Sequence, residues 1–299
     1  MADWTHGTIA GGVVATPDLQ AALADYRERL GLELVEESPL PPAVAQSWDV
    51  PALAGARHAA LRPRSGAPCF LRLVEQPAMP DFAPTRTFGW AAFEFTVQDV
   101  YGWPDRLDGS GFTIVGPPKP IEGLPYFVPM QVTGRGGEML YLNEVACDTP
   151  SSDLPKAVSP VDRIFIVILA TPDRAASVAW LSERLGLDEG GSYTLEYTMI
   201  NRAFGLPAGT QSTITMVQRA RLPIVEVDGY PPAATPRPIV PGHLPPGNAL
   251  VTLAVDDLDA LDLAWIRPPA VLPGTAYRGR RAATVRGSAG ELLELVEIG

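Results

Sequence analysis

Apolar and polar positions along this chain fall into a pattern that occurs twice. An apolar run at 9–15 passes into Thr16-Pro17-Asp18, and Leu19, Leu23, Tyr26 and Leu30 then recur at helical spacing up to Gly31. At 164–170 a second apolar run passes into Thr171-Pro172-Asp173, followed by Val178, Leu181 and Leu185 on one helical face and by Gly186. Apolar runs of this length predict strands, and the spacing after them predicts helices with one buried face. The Thr-Pro-Asp turn offers a capping hydroxyl, a proline for the first helical position and a carboxylate for the first turn. A glycine at the far end suits a left-handed C-cap. The repeated unit is thus a strand followed by a helix that packs on a sheet.

Two weaker starts, at 88–100 and 248–261, again run from a strand into an Asp-led turn. Short strands are predicted behind each start: 57–61 and 69–75, 126–133 and 139–144, 212–218, and 282–285 with 292–296. The period is a βαβββ module used four times. We expect an α+β fold in which consecutive modules pair into two cup-shaped eight-stranded sheets, with helices on the outer face. The first domain is expected at 1–148 (modules 1–85 and 86–148) and a linker at 149–160. The second is expected at 161–299, with modules 161–228 and 246–299 joined by a Pro-rich connector at 229–247. That connector is long enough for a flap and is read as a surface strap.

Composition narrows the classes. With 46% hydrophobic and 19% charged residues the chain has ample material for a core. Its longest apolar run, 164–170, falls far short of the roughly 20 residues that span a bilayer. The 1–12 stretch has neither a basic start nor a long apolar segment, so a cytoplasmic location is expected and no membrane partner. A formal charge of −11 without a Lys/Arg cluster argues against nucleic acid. Cys69 and Cys147 form neither a disulfide framework nor a zinc motif and are expected to be small buried residues. The three histidines, His6, His58 and His243, have no ligand spacing between them.

The two cassettes, ATPDLQAALADYRERLGL and ATPDRAASVAWLSERLGL, together with the endings GGEMLYLNEV at 136–145 and GELLELVE at 290–297, resemble the vicinal oxygen chelate superfamily of glyoxalase I, bleomycin-resistance proteins, methylmalonyl-CoA epimerase and extradiol dioxygenases. The resemblance covers nearly the whole chain, and four modules in one polypeptide look most like the dioxygenases. It implies cups whose metal, where present, is held from the first strand of a module and by a Glu of its last strand. The first-strand positions here are Gly11, Ala92, Ile166 and Leu250. Tyr141 and Glu294 stand at the Glu position, with Arg72 and Thr215 at mid-sheet in modules one and three. No metal and no other cofactor is therefore expected.

Strand alternation places Trp90, Glu94, Phe70, Arg72, Met139, Tyr141 and Asn143 together in the expected first cup. There Arg72 would hold a carboxylate or enolate oxygen, Glu94 act as a base and Tyr141 as a hydrogen-bond donor or acid. Equally, Arg72 and Glu94 would form an ion pair filling the place of a metal. The expected second cup joins Glu294, Thr215, Thr252 and Asn248 to apolar Ile166 and Leu250, with Tyr277 and Arg278, Arg280 and Arg281 on its approach. Glu94, Arg72, Tyr141 and Glu294 are the candidate catalytic residues. Trp90, Phe70, Asn143, Met139, Thr215, Ile166 and Leu250 are the candidate ligand contacts.

These groups suit proton transfer of isomerase or lyase type, independent of metal, on a small hydrophobic carbonyl-bearing or aromatic molecule. Two alternatives stay open: a non-catalytic protein that binds or sequesters a small molecule, and a metal-dependent extradiol-type dioxygenase with an unusual ligand set. The expected partner is a small organic ligand, and a homodimer is left open.

Overall fold

The apolar runs form strands, and the strands join in an order that the chain does not follow. A computed structural model describes residues 4–121 and 123–299. Among them, module one contributes β1 (Ile9–Thr16), β2 (Glu33–Pro39), β3 (Arg57–Arg62) and β4 (Phe70–Glu75), and module two β5 (Gly89–Val97), β6 (Thr113–Gly116), β7 (Phe127–Thr133) and β8 (Met139–Val145). Module three supplies β9 (Val161–Thr171), β10 (Asp188–Glu196), β11 (Gln211–Arg219) and β12 (Leu222–Gly229). Module four supplies β13 (Gly247–Val255), β14 (Ala270–Val271), β15 (Arg281–Arg286) and β16 (Leu292–Glu297). Two eight-stranded sheets result, as the alternation predicts.

Their composition corrects the expected pairing of neighbours. One sheet runs β14-β15-β16-β13-β1-β4-β3-β2 and the other β10-β11-β12-β9-β5-β8-β7-β6. Module one is thus joined to module four, and module two to module three. The 149–160 stretch is short, and β9 returns antiparallel beside β5, with Glu94 opposite Ile166. That leaves β1 as an open edge, whose unpaired backbone groups need a partner strand. Antiparallel β13 fills it, with Val13 opposite Leu250.

Local chemistry explains the turns. Asp18 and Asp173, not the threonines before them, are the N-caps: their carboxylates accept from the Ala21 and Ala176 amides. Thr16 and Thr171 instead bridge the turn below. Helix α1 (Leu19–Ala24) continues as a wider turn over Asp25–Arg29, whereas α4 (Arg174–Leu185) stays regular and ends on left-handed Gly186. The last strand of a module supports its own turn. Glu75 accepts from Leu19 N at 2.9 Å, Glu144 from Val100 N at 2.8 Å and Glu297 from Leu258 N at 3.3 Å. Module four departs from the βαβββ pattern: the stretch 256–269, with Pro268 and Pro269 near its end, forms no helix. Short helices α2 (Pro42–Ser47) and α5 (Thr198–Phe204) lie between the second and third strands of modules one and three, and α3 (Trp103–Leu107) follows β5.

The convex faces of the two sheets share one core that includes Val14, Leu71, Phe93, Leu140 and Leu253. Gly12 on β1 permits the approach, and Gly11 the close pairing with β4. A Cβ on Gly12 would lie 2.6 Å from the Phe93 ring of the other sheet, and one on Gly11 would collide with the Phe70 carbonyl. Cys69 is buried, which pushes its thiol up to about 12, but Cys147 is exposed, contrary to expectation, because it follows β8 into the connecting stretch. No helix among the described residues is long and apolar enough to cross a membrane.

Two predictions follow from this packing. Gly12→Ala is expected to cost about 1–3 kcal/mol of stability through the overpacked Phe93 contact, measured by urea unfolding. Glu138, fully buried in the β7–β8 turn, accepts a hydrogen bond from Tyr26 at 2.8 Å, and burial pushes its carboxyl up to about 7. A carboxyl raised in the folded state stabilises while it is protonated. Its contribution is full below about pH 4.5, its unfolded value, and is lost as pH rises through about 7. Glu138→Gln should therefore gain stability over the parent at pH 8 and match it near pH 5, in denaturation curves taken across that range.

Candidate functional site

Each sheet curls around a set of inward side chains, and the two sets differ in charge. In the cup of modules one and four, Arg72 on β4 donates to Glu294 on β16 at 2.5 Å, to Thr252 on β13 at 2.6 Å and to the Tyr277 hydroxyl at 2.8 Å. Trp48, which follows α2, donates its indole N–H to the other Glu294 oxygen at 2.6 Å, and Tyr277 donates to the same oxygen at 2.8 Å. The Arg72 guanidinium lies 4.8 Å from the Trp48 ring centre. Arg72 and Glu294 are 3% and 0% exposed, so the pair is shut away from water. Burial alone would depress Arg72, but Glu294 and Tyr277 hold it above its ordinary value. His58 is buried beside them; desolvation, with Arg72 adding to it, brings its imidazole down to about 4.

The cup of modules two and three holds acids without a base. Glu94 on β5 stands next to Tyr141 on β8, and Asn143 donates to Glu94 at 2.5 Å. Glu226 and Asp228 project from β12 beside β9, where Ile168 and Ala170 lie opposite them. Tyr197, leading into α5, meets the Tyr141 hydroxyl at 2.8 Å and Glu226 at 3.5 Å. Ile166, Ile168, Met139, Met216 and Tyr230 supply apolar walls.

Burial drives all three carboxyls of this cup upward. Mutual repulsion adds to it for Glu94, through Glu226, and for Asp228, through both others. Asp228 is 1% exposed and neither of its oxygens meets a donor. Its contact with half-buried Glu226 is therefore a bond only when one of the two carries a proton.

The sequence resemblance implies a metal in such cups. In the first cup a guanidinium stands beside Glu294 where a cation would go, and Gly11 has no room for a side chain. In the second, Ala92 and Ile166 offer no ligand. No group of three or more His, Cys, Asp or Glu among the described residues is arranged to hold a metal ion. The residues do not fit the metal.

The structure redistributes the expected site. Arg72, Phe70, Leu250 and Glu294 line the first cup; Glu94, Tyr141, Asn143, Met139 and Ile166 line the second. Arg72 does form an ion pair, but with Glu294, because module four and not module two completes its sheet. Trp90 leaves the cup: an irregularity between Trp90 and Ala92 turns it into the inter-sheet core, where it donates to the Leu292 carbonyl at 2.8 Å. Thr215 faces the helix layer, bonded to Arg174 and, at 2.8 Å, to Ser192. Asn248 bridges to the Met139 backbone instead of lining a cup, Tyr277 belongs to the first cup, and Arg281 pairs with Asp259.

Glu226 and Asp228 escaped the sequence reading because β12 fell at the expected edge of the third module. The alternation Val225-Glu226-Val227-Asp228 matches Leu71-Arg72-Leu73-Val74 and would have identified it. A cleft of about 180 Å3 lies outside both cups. Two of its polar side chains are engaged: Arg135 by Asp25, and Gln76 by the Leu244 backbone.

Residues 8–139 match the family model of the glyoxalase/bleomycin resistance protein/dioxygenase superfamily. Glyoxalase I from Zea mays has a similar fold, with a TM-score of 0.60 and 17% identity over 97% of this chain and 92% of that one. A structure described as a putative dioxygenase from Bacillus subtilis gives a TM-score of 0.59 at 12% identity, over 99% and 86% of the two chains. At these identities the likeness is one of fold. None of the curated proteins matches the sequence.

The first cup yields a double-mutant prediction. Arg72→Met alone leaves Glu294 buried without its cation and is expected to cost about 3–5 kcal/mol, whereas Arg72→Met with Glu294→Leu should recover most of that loss. Urea unfolding of the two variants checks it: equal instability of single and double variants would show that the charge pair is not the cause.

Proposed function

Since the chain carries a domain of the glyoxalase/bleomycin resistance protein/dioxygenase superfamily, we propose that the second cup is its functional centre, binding a small, largely apolar, carbonyl-bearing molecule and moving a proton on it without a metal. The observation that carries this reading is a pair of carboxyls, Glu226 and Asp228, set together in an apolar cup with tyrosine hydroxyls beside them and no donor on Asp228, burial pushing both upward. A base and an acid are thereby held side by side near neutral pH, which general acid–base catalysis requires.

Glu226, as carboxylate, takes the proton from the carbon next to the ligand carbonyl. The C–H electron pair becomes the C=C bond of an enol, and the carbonyl oxygen takes the proton of Asp228. Returning a proton to the opposite face of the same carbon, while Asp228 recovers the proton of the enol oxygen, inverts that centre, an isomerisation that consumes no oxidant or reductant. Tyr141 and Tyr197 hold the oxygen as donors, burial keeping both phenols protonated. Glu94 is fixed beside the pair by Asn143. Arg72 and Glu294, in the first cup, have a structural part only.

Deuterium wash-in from heavy water into a panel of aryl ketones, followed by proton NMR, tests the reading. The parent protein is expected to catalyse exchange at the carbon next to the carbonyl, and Glu226→Gln to slow it by about 10²-fold or more while affinity for the neutral ketone is kept. Exchange unaffected by the substitution would remove Glu226 from the mechanism. Binding without exchange would favour a protein that sequesters its ligand.

A further inference from the structure

The two cups are built on one plan, so each is a control for the other. Arg72 on β4 corresponds to Glu226 on β12, Glu294 on β16 to Tyr141 on β8, and Thr252, which faces Glu294, to Glu94, which faces Tyr141. One strand step on, Val74 corresponds to Asp228. In the first cup the carboxylate is met by a guanidinium that the chain itself provides, flanked by the Trp48 and Tyr277 rings at 4.8 and 5.2 Å. In the second, three carboxyls stand around the same place with aromatic neighbours and no guanidinium among them.

The charged and titratable groups that face them are each other and Tyr141, Tyr197 and Tyr230. Arg237 in the connector acts on Tyr230, but its donors are taken by Thr87 and by the Trp90 and Asn248 carbonyls. Arg86 is exposed, 5.5 Å from the Phe204 ring. Three fully buried oxygens of the set, both of Asp228 and the side-chain oxygen of Asn143, meet no donor, the only bond open to Asp228 being the one that a proton shared with Glu226 would make. Buried acceptors of this kind call for a donor from outside.

We infer that the ligand of the second cup carries a cationic nitrogen, an ammonium or guanidinium group, on an apolar body, and that this group takes the place the Arg72 guanidinium occupies in the first cup. Tyrosine faces and carboxylates together are the surroundings that favour an organic cation. The inference rests on the proposed function only in taking the second cup as the binding site.

Isothermal titration calorimetry of the full chain with benzylamine, phenylguanidine and benzyl alcohol tests it. Both cations are expected to bind at least tenfold more tightly than the alcohol. Asp228→Asn and Glu226→Gln should each weaken the cations at least tenfold and leave the alcohol within about twofold. Glu226→Arg, which copies the residue of the first cup, should keep the fold by circular dichroism and abolish cation binding. Equal affinity for cation and alcohol overturns the charge requirement while leaving the cup a binding site. Tighter binding of magnesium or manganese ion than of either amine overturns it in favour of a metal. Binding of none of the probes at tens of millimolar overturns both this inference and the choice of cup.

Discussion

A carboxylate taken out of water must be met by a positive charge or hold its proton, and the interior of this protein is organised by that requirement. The first cup meets it with Arg72. The guanidinium is a planar donor array, and it reaches Glu294, Thr252 and Tyr277 at once, while Trp48 and Tyr277 complete the other carboxylate oxygen. Both Glu294 oxygens are taken in that network, and the Arg72 Nε–H is the group of the pair left without an acceptor. The second cup meets the same requirement by protonation, which a ligand or a change of protonation can reverse. One scaffold therefore holds one locked centre and one responsive centre.

The difference depends on which modules share a sheet. Had neighbours paired in chain order, Arg72 would have faced Glu94 and Tyr141, and Glu226 would have faced Glu294. Each cup would then have held a mixed set. Antiparallel pairing of β5 with β9 and of β1 with β13 sorts the charges instead, placing the arginine with a single acid and the other three acids together. Topology, more than residue type, decides where the chemistry can be.

Much of the fold could be read from residue order. The cassettes at 15–32 and 170–187 mark strand, Asp-capped turn and helix, and the alternation of β4, β8 and β16 assigns inward positions correctly for Arg72, Tyr141, Asn143 and Glu294. Partnership between modules could not be read, because each edge strand is equally able to pair with several others and alternation within a strand carries no information about its neighbour. Trp90 was misplaced because a one-residue irregularity reverses facing along the rest of a strand. Thr215 lies outside the cup because the strand predicted at 212–218 is the third of its module and β12 is the last. The candidate site was thus half legible: its β5 and β8 side could be seen, and its β12 side, with Glu226 and Asp228, could not.

Covers of similar origin make the contrast sharper. Helix α2 and helix α5 arise in the same loop of modules one and three. The residue beside each, Trp48 or Tyr197, leans onto the central acids. Trp48 is fully buried and can only donate, so it seals Glu294. Tyr197 is half-buried and both donates and accepts, so its hydroxyl can serve the acids or a bound oxygen alike. A chain of net charge −11 gains no stability from gathering three of its acids in an apolar cup. The remedy is already present in its other half, in the Arg72, Thr252 and Val74 set. Departures from local consistency of this kind are characteristic of functional sites, and here the unused remedy lies within the same polypeptide.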